Sequence, residues 1–256
     1  MAEVLVDADS LIYPLGFVAQ SGGWDLDHTL NALDNKWDEI KKNVYISSKP
    51  HFFFTGSGPV KYRDQFQTIV PYKQNRKDST KPKPLYIPEM ISHCMNNFNV
   101  SGMSGVVDCT WGEADDAIAT AANHFYQGLN SVYIVGVDKD LLQIPATHYN
   151  HKKNSFNFVS EALACKTFYA QMLIGDSADN IKGVKGIGMR KASKILSTYI
   201  SESDMYDRVV TEYESWLTPL GHDLESISRT IHETGNLLYL RKGTTDYWKP
   251  GESFPH

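Results

Sequence analysis

The chain has 256 residues, long enough for one large domain or two small ones, and its 41% hydrophobic and 21% charged content is that of an ordinary globular protein. No apolar run approaches the roughly 20 residues needed to cross a bilayer, and the start, M-A-E-V-L-V-D, lacks the basic region of a secretory signal. A net charge of −5 excludes a general polyanion binder, so any nucleic-acid partner needs locally concentrated positive charge.

Glu3 to Val6 is short, apolar and β-branched, a buried strand that ends on Asp7. Leu26, Leu30, Leu33, Trp37, Ile40 and Val44 recur at helical spacing and predict a helix over Trp24 to Val44. His51 to Phe54 reads as a second strand, closed by T-G-S-G-P at 55–59. Residues 71 to 88 hold four prolines and five basic residues, which predicts a loop or arch. Helices follow at Ile87 to Phe98, with Pro88 in the first turn, and at the alanine-rich Glu113 to Tyr126. Ser131 to Val137 is the best strand in the chain, and Asp138 follows it.

Strands alternating with helices predict an α/β fold with a mainly parallel central sheet flanked by helices. Past about residue 160 the strand signal fades and short helices dominate. The expected division is an α/β core over 1–160 with a basic arch at about 71–88, a helical region over 161–235, and a tail over 236–256. Cys94, Cys109 and Cys165 are widely spaced and odd in number, which excludes a zinc site or disulfide framework and places the chain in a reducing cytoplasm.

Acids concentrate in four clusters: Asp7 with Asp9; Glu113, Asp115 and Asp116; Asp138 with Asp140; and Asp176 with Asp179. Residues just past the strand ends of an open parallel sheet line one crevice, so Asp7 and Asp138 are expected to share it. G-E-A-D-D opens a helix, whose N-terminal dipole favours carboxylates. Acids crowded this way repel unless cations neutralise them, and oxygen-only ligands suit Mg²⁺ or Mn²⁺. Two such ions about 4 Å apart can activate a water and stabilise a leaving oxygen.

Cations are equally segregated. Lys73, Arg76, Lys77, Lys81 and Lys83 face only Asp78, directly after Tyr72, whose ring is positioned by sequence to stack a base. From Asn180 to Ser201 there is no acid, whereas Lys182, Lys185, Arg190, Lys191 and Lys194 surround Gly183, Gly186 and Gly188. Those glycines allow a tight turn between helices and close approach of backbone amides to a phosphate, and the following helix start favours anions. No strand precedes the glycines, which argues against a dinucleotide site.

In order, V-L-V-D-A-D at 4–9, Y-K-Q-N-R-K at 72–77, G-E-A-D-D at 112–116, V-D-K-D at 137–140 and G-D-S-A-D-N-I-K-G-V-K-G-I-G at 175–188 resemble the structure-specific 5′ nucleases. That family comprises flap endonucleases, phage 5′–3′ exonucleases and the 5′ nuclease domain of bacterial DNA polymerase I. The resemblance covers residues 4 to about 196, and the Asn236 to Arg241 stretch is most similar to a phage exonuclease.

The resemblance implies a PIN-like core with a helix-hairpin-helix and a basic arch, and a monomer that hydrolyses DNA at a 5′ end, nick or flap, or in an RNA–DNA hybrid. It implies a first metal on Asp7, Glu113, Asp115 and Asp138, a second on Asp140, Asp176 and Asp179, and Asp116 and Asp138 between them. Lys73 and Arg76 match arch residues that touch the scissile phosphate, and Tyr72, Lys77, Lys182, Lys185, Gly186, Gly188, Arg190 and Lys191 fall in the DNA-gripping stretches. A K⁺ on backbone carbonyls of the glycine-rich segment is also implied.

The family places an Asp just after its second strand. Here 52–57 reads F-F-F-T-G-S, so no carboxylate is supplied there, although one at position 55 or 56 is expected to face the cations. The competing readings are a PIN-like ribonuclease and a catalytically idle DNA-binding module.

Overall fold

A computed structural model describes residues 2–44, 48–58, 61–66, 71–74, 82–128, 130–198 and 201–254. The chain divides into two compact units, Met1–Gly58 with Thr80–Ser160, and Pro59–Ser79 with Glu161–His256.

The first unit is built on a six-stranded sheet. Its strands are β1 (Glu3–Asp7), β2 (His51–Thr55), β3 (Gly105–Val107), β4 (Val132–Val135), β5 (Ala146–Asn150) and β6 (Ser155–Val159), in the order β3-β2-β1-β4-β5-β6. All pairings are parallel except β5 with β6. Helices α1 (Asp9–Gly22), α2 (Leu26–Asn43), α3 (Ile87–Asn97) and α4 (Ala114–Phe125) complete it. Val4, Leu5 and Val6 are fully buried, as a strand covered on both faces requires.

The expected elements at β1, β2, β4, α2, α3 and α4 are all present. Helix α1 was not anticipated, because Pro14 lies inside it and Tyr13, Phe17 and Val18 are exposed, blurring its periodicity. Gly16 is fixed by packing: Leu85 N–H donates to its carbonyl, and a Cβ there would lie 2.7 Å from the Leu85 oxygen.

The second unit holds α5 (Glu161–Ile174), a two-residue hairpin pair β7 (Gly175–Asp176) and β8 (Ile181–Lys182), then α6 (Met189–Ile195), α7 (Glu202–Leu217) and α8 (Leu224–Leu238). Phe168, Met172 and Leu173 pack with Val209, Tyr213, Ile227 and Ile231 in one core. The segment expected as a tail enters this core through Trp248 and Phe254. Buried Glu202 accepts from Tyr169 O–H at 2.9 Å and from the Ser253 and Phe254 amides at 3.0 and 2.9 Å, which ties the chain end down. Arg63, buried in a single helical turn at Lys61–Asp64, donates to the carbonyls of Leu237 and Tyr239 and so anchors that turn in this unit.

Among the described residues, no helix is long and apolar enough to cross a membrane.

Candidate active site

In the first unit, acids gather where β1, β2 and β4 end. Asp7 is the last residue of β1, beside Phe53 of β2 in register, and is buried. Gly136, just past β4, makes room for it, since a Cβ there would sit 3.2 Å from that of Asp7. Burial, then the charges of Asp9 and Asp138, raise the Asp7 carboxyl from its ordinary value of 3.8 to about 7, against the lowering effect of the Ser10 hydrogen bonds. Three carboxylates from two strand ends thus share one field, as the parallel topology predicts. Asp138 accepts from the Asp140 amide at 2.9 Å, and Asp140 opens a 3₁₀ turn with Lys139 Nζ 3.0 Å from its Oδ1.

The acids at the start of α4 are held by their own helix. Glu113 is the N-cap, and Asp116 Oδ2 accepts from the Glu113 amide at 3.0 Å in a reciprocal capping box. Asp116 is fully buried and folds over Gly112, where a Cβ would lie 2.9 Å from its side chain. Asp115 Oδ1 accepts from the Asp116 amide at 2.8 Å. Among the described residues, no three acidic, histidine or cysteine side chains close into a finished cation cage.

Thr55 and Asp9 were missed as partners. The Thr55 amide donates to Asp9 Oδ2 at 3.0 Å, while Thr55 Oγ1 accepts from the Ala114 amide at 3.0 Å. The end of β2 therefore reaches the starts of both α1 and α4 without a carboxylate of its own. A carboxylate at position 56, expected to face the cations, does not fit without a shift: a Cβ on Gly56 would lie 2.5 Å from the Val107 carbonyl oxygen.

In the second unit, Asp176 ends β7 and Asp179 lies on the turn that leads to β8. Asp176 Oδ1 accepts from the Ala178 and Asp179 amides at 2.7 and 3.3 Å. Lys73 has a left-handed backbone (φ 53°); its amide donates to the Asp179 carbonyl at 2.9 Å, and its Nζ is 3.6 Å from Asp179 Oδ2. Tyr72 does not present an open ring for a base. It is buried in the core of this unit, with its hydroxyl donating to Asp179 Oδ2 at 3.2 Å. Arg76 and Lys77 lie outside the described residues.

The glycine-rich turn is anchored by buried Val184, Ile187, Ala192 and Leu196, and Lys182, Lys185, Arg190, Lys191 and Lys194 are all exposed. Gly183 is obligatory, since a Cβ there would come within 2.2 Å of the Ile174 backbone, and Gly186 has a φ of 81°. Gly188 is the N-cap of α6 in ordinary extended geometry.

No family model matches the chain. It is 37% identical over 123 residues to a 5′-3′ exonuclease of Mycoplasmopsis pulmonis, covering 43% of this chain and 38% of that protein. It is 30% identical over 253 residues to DNA polymerase I of Caldicellulosiruptor bescii, covering 90% of this chain and 28% of the polymerase. The flap endonuclease Xni of Shewanella woodyi is 30% identical over 53% of this chain and 55% of its own length. The chain is a relative of the structure-specific 5′ nucleases. It spans less than two thirds of each of these relatives. Its fold is that of the bacteriophage T5 5′-exonuclease: a zinc-bound structure of that protein superposes with a TM-score of 0.63 at 16% identity, over 93% of this chain and 89% of that one. A T5 flap endonuclease complex with DNA and metal ions gives 0.58 at 15% identity, over 94% and 91%.

Proposed function

We propose that the chain is a divalent-cation-dependent 5′ nuclease that hydrolyses DNA phosphodiesters, acting as a 5′–3′ exonuclease or flap endonuclease and leaving 5′-phosphate and 3′-hydroxyl ends. The carrying observation is Asp7, a buried carboxyl at a strand end that shares its field with Asp9 and Asp138 on a 5′ nuclease fold.

The donor chemistry fits a hard divalent cation, because every candidate ligand offers carboxylate oxygen; this favours Mg²⁺ or Mn²⁺. In the first unit Asp7, Glu113, Asp115 and Asp138 would hold it, with Asp140 alongside and Asp116 orienting Glu113 through the helix cap. In the second, Asp176 and Asp179 form the acidic turn. When bound, such cations polarise a phosphoryl oxygen and lower the pKa of a coordinated water.

The remaining work falls to the chain's cations. Lys73, held at Asp179, supplies positive charge to the scissile phosphate as negative charge builds, and Arg76 and Lys77 extend that function. Lys182, Lys185, Arg190 and Lys191 neutralise duplex phosphates while Gly186 and Gly188 keep the turn low enough for backbone contact, and the turn's carbonyls would hold a K⁺. Nicked or flapped duplexes are the proposed substrates, an RNA–DNA hybrid a further one, and a cytoplasmic monomer the working state.

The test is cleavage of 5′-labelled nicked, flapped and single-stranded DNA and of a hybrid, with Mg²⁺ or with chelator. Cleavage restricted to the metal-containing reactions, and abolished by Asp138→Asn with DNA binding retained, is the expected result. Metal-independent cleavage, or near wild-type turnover in Asp138→Asn, would overturn the proposal.

A further inference from the structure

Next to Ser10, the residue that bonds to Asp7, lies a buried imidazole that the proposed chemistry does not use. His151 follows β5, is 3% exposed, and places Nε2 3.0 Å from Ser10 Oγ. Ser10 Oγ is also 2.7 Å from the Asp7 carbonyl oxygen, and the Ser10 amide reaches Asp7 Oδ1 at 3.4 Å. We infer that His151, acting through Ser10, is a positioning residue for the Asp7 carboxylate. The inference rests on the reading of Asp7 as a cation ligand.

Hydrogen accounting gives the direction of control. A carbonyl only accepts, so the single hydroxyl hydrogen of Ser10 goes to Asp7. The Ser10 oxygen then has only a lone pair for His151, and the ring must carry its hydrogen on Nε2. A ring protonated on Nδ1 alone would demand that same hydroxyl hydrogen and release the Asp7 carbonyl. The tautomer of His151 is thus coupled to the bond that fixes residue 7.

The other ring nitrogen shows that packing alone does not explain this histidine. His151 Nδ1 is buried without a hydrogen-bond partner among the described residues. An unsatisfied buried polar atom costs about 1–3 kcal/mol, which a phenylalanine of similar shape would avoid. The imidazole is therefore there for Nε2–H. Burial, then the charges of Lys36 and Lys152, lower its pKa to about 4 and keep it neutral at physiological pH, although Glu39 opposes them. Its backbone is also fixed, because Lys36 Nζ donates to the His151 carbonyl at 2.8 Å.

Ser10 consequently holds Asp7 at both its carbonyl and its carboxylate, and His151 holds the Ser10 rotor. A carboxylate restrained before the cation arrives loses less freedom on binding it, and loss of such outer partners typically weakens a metal site by about tenfold or more.

The experiment measures Mn²⁺ affinity of the DNA-free protein, from the electron paramagnetic resonance signal of unbound Mn²⁺. Ser10→Ala and His151→Phe are each expected to weaken binding about tenfold. His151→Gln, whose amide N–H falls near the Nε2 position, should stay within about twofold of wild type. The Ser10→Ala, His151→Phe double variant should bind no more weakly than Ser10→Ala alone, since both changes break one chain of bonds. Equal losses in His151→Phe and His151→Gln, or additive losses in the double variant, would make the ring a packing residue and overturn the inference. Ser10→Ala leaves the ring's packing intact, so full Mn²⁺ affinity in that variant also overturns it, even if His151→Phe fails to fold. Asp7→Asn separates the two readings. Weak binding there with normal binding in Ser10→Ala removes the positioning role alone, whereas normal binding in Asp7→Asn removes the ligand assignment and the inference with it.

Discussion

Replacing Asp7 with Asn should stabilise the metal-free protein at neutral pH while destroying its proposed activity. Burial, Asp9 and Asp138 raise the Asp7 carboxyl from 3.8 to about 7 in the folded chain. The folded state therefore holds this proton more tightly than the unfolded state does. The associated stability is full below the unfolded value and is lost as pH rises through the folded value. At about 1.4 kcal/mol per tenfold change in proton affinity, the ionised carboxylate costs the folded chain about 4 kcal/mol by pH 8. Asn carries no titrating proton, and its amide oxygen can still accept from the Ser10 amide as Asp7 Oδ1 does.

Urea unfolding in chelator from pH 4 to 8 measures the effect. Wild type and Asp7→Asn should be nearly equal at pH 4 and diverge above it, with the variant ahead by up to about 4 kcal/mol at pH 8. Mn²⁺ should then raise wild-type stability at pH 8 and leave the variant largely unaffected, because a cation that binds only the folded state stabilises it by mass action. Asp9→Asn should recover a smaller part of the same gain, since burial, not Asp9, is the larger cause. A difference between wild type and Asp7→Asn that stays flat with pH would refute the reasoning, because the two differ in that one titrating proton.

Thr55→Val should destabilise the first unit by about 1–2 kcal/mol in thermal melts, since the Ala114 amide loses its acceptor at the start of α4, and Thr55→Ser should restore it. Lys73→Ala should lower single-turnover cleavage about a hundredfold with little change in DNA affinity, as loss of a transition-state donor does; a change confined to the Michaelis constant would reduce Lys73 to a guide for the strand. Gly186→Ala should cost about 1–2 kcal/mol of stability because of its φ of 81°, whereas Gly188→Ala, in extended geometry with open space, should leave the fold's stability nearly unchanged; equal losses in thermal melts would refute this. Glu202→Gln should loosen the C-terminal segment by about 2 kcal/mol, read as faster proteolysis near Ser253, because charge-assisted bonds to two amides and Tyr169 weaken.

The elements that place the acids were legible because they obey local rules. β1 is an apolar run that ends on Asp7, β4 an apolar run followed three residues later by Asp138, and α2 repeats Leu33, Trp37 and Ile40 on one face. Local rules also leave some roles open. A carboxylate in the first turn of a helix serves a cap or a cation equally well by sequence, and the Glu113–Asp116 spacing is that of a capping box as much as that of a ligand pair. Tyr72 follows the same logic: an aromatic beside a basic run reads as a stacking platform until the fold gives its hydroxyl to Asp179, 107 residues away.

The contacts that aim the acids were not legible, for a physical reason. Thr55 meets Asp9 and Ala114 across separations of 46 and 59 residues, and His151 meets Ser10 across 141. A threonine that ends a strand or a histidine just after another has no local period, cap or charge pattern to betray it, because its role exists only once the strand order is set. With β2 and β4 flanking β1, and β5 beyond β4, the residues just past those strands converge on the turn that leads from Asp7 into α1. The sequence therefore announces the charged groups, which must be many and clustered to hold a cation, whereas the neutral hydroxyls and imidazole that orient them are disclosed by topology alone.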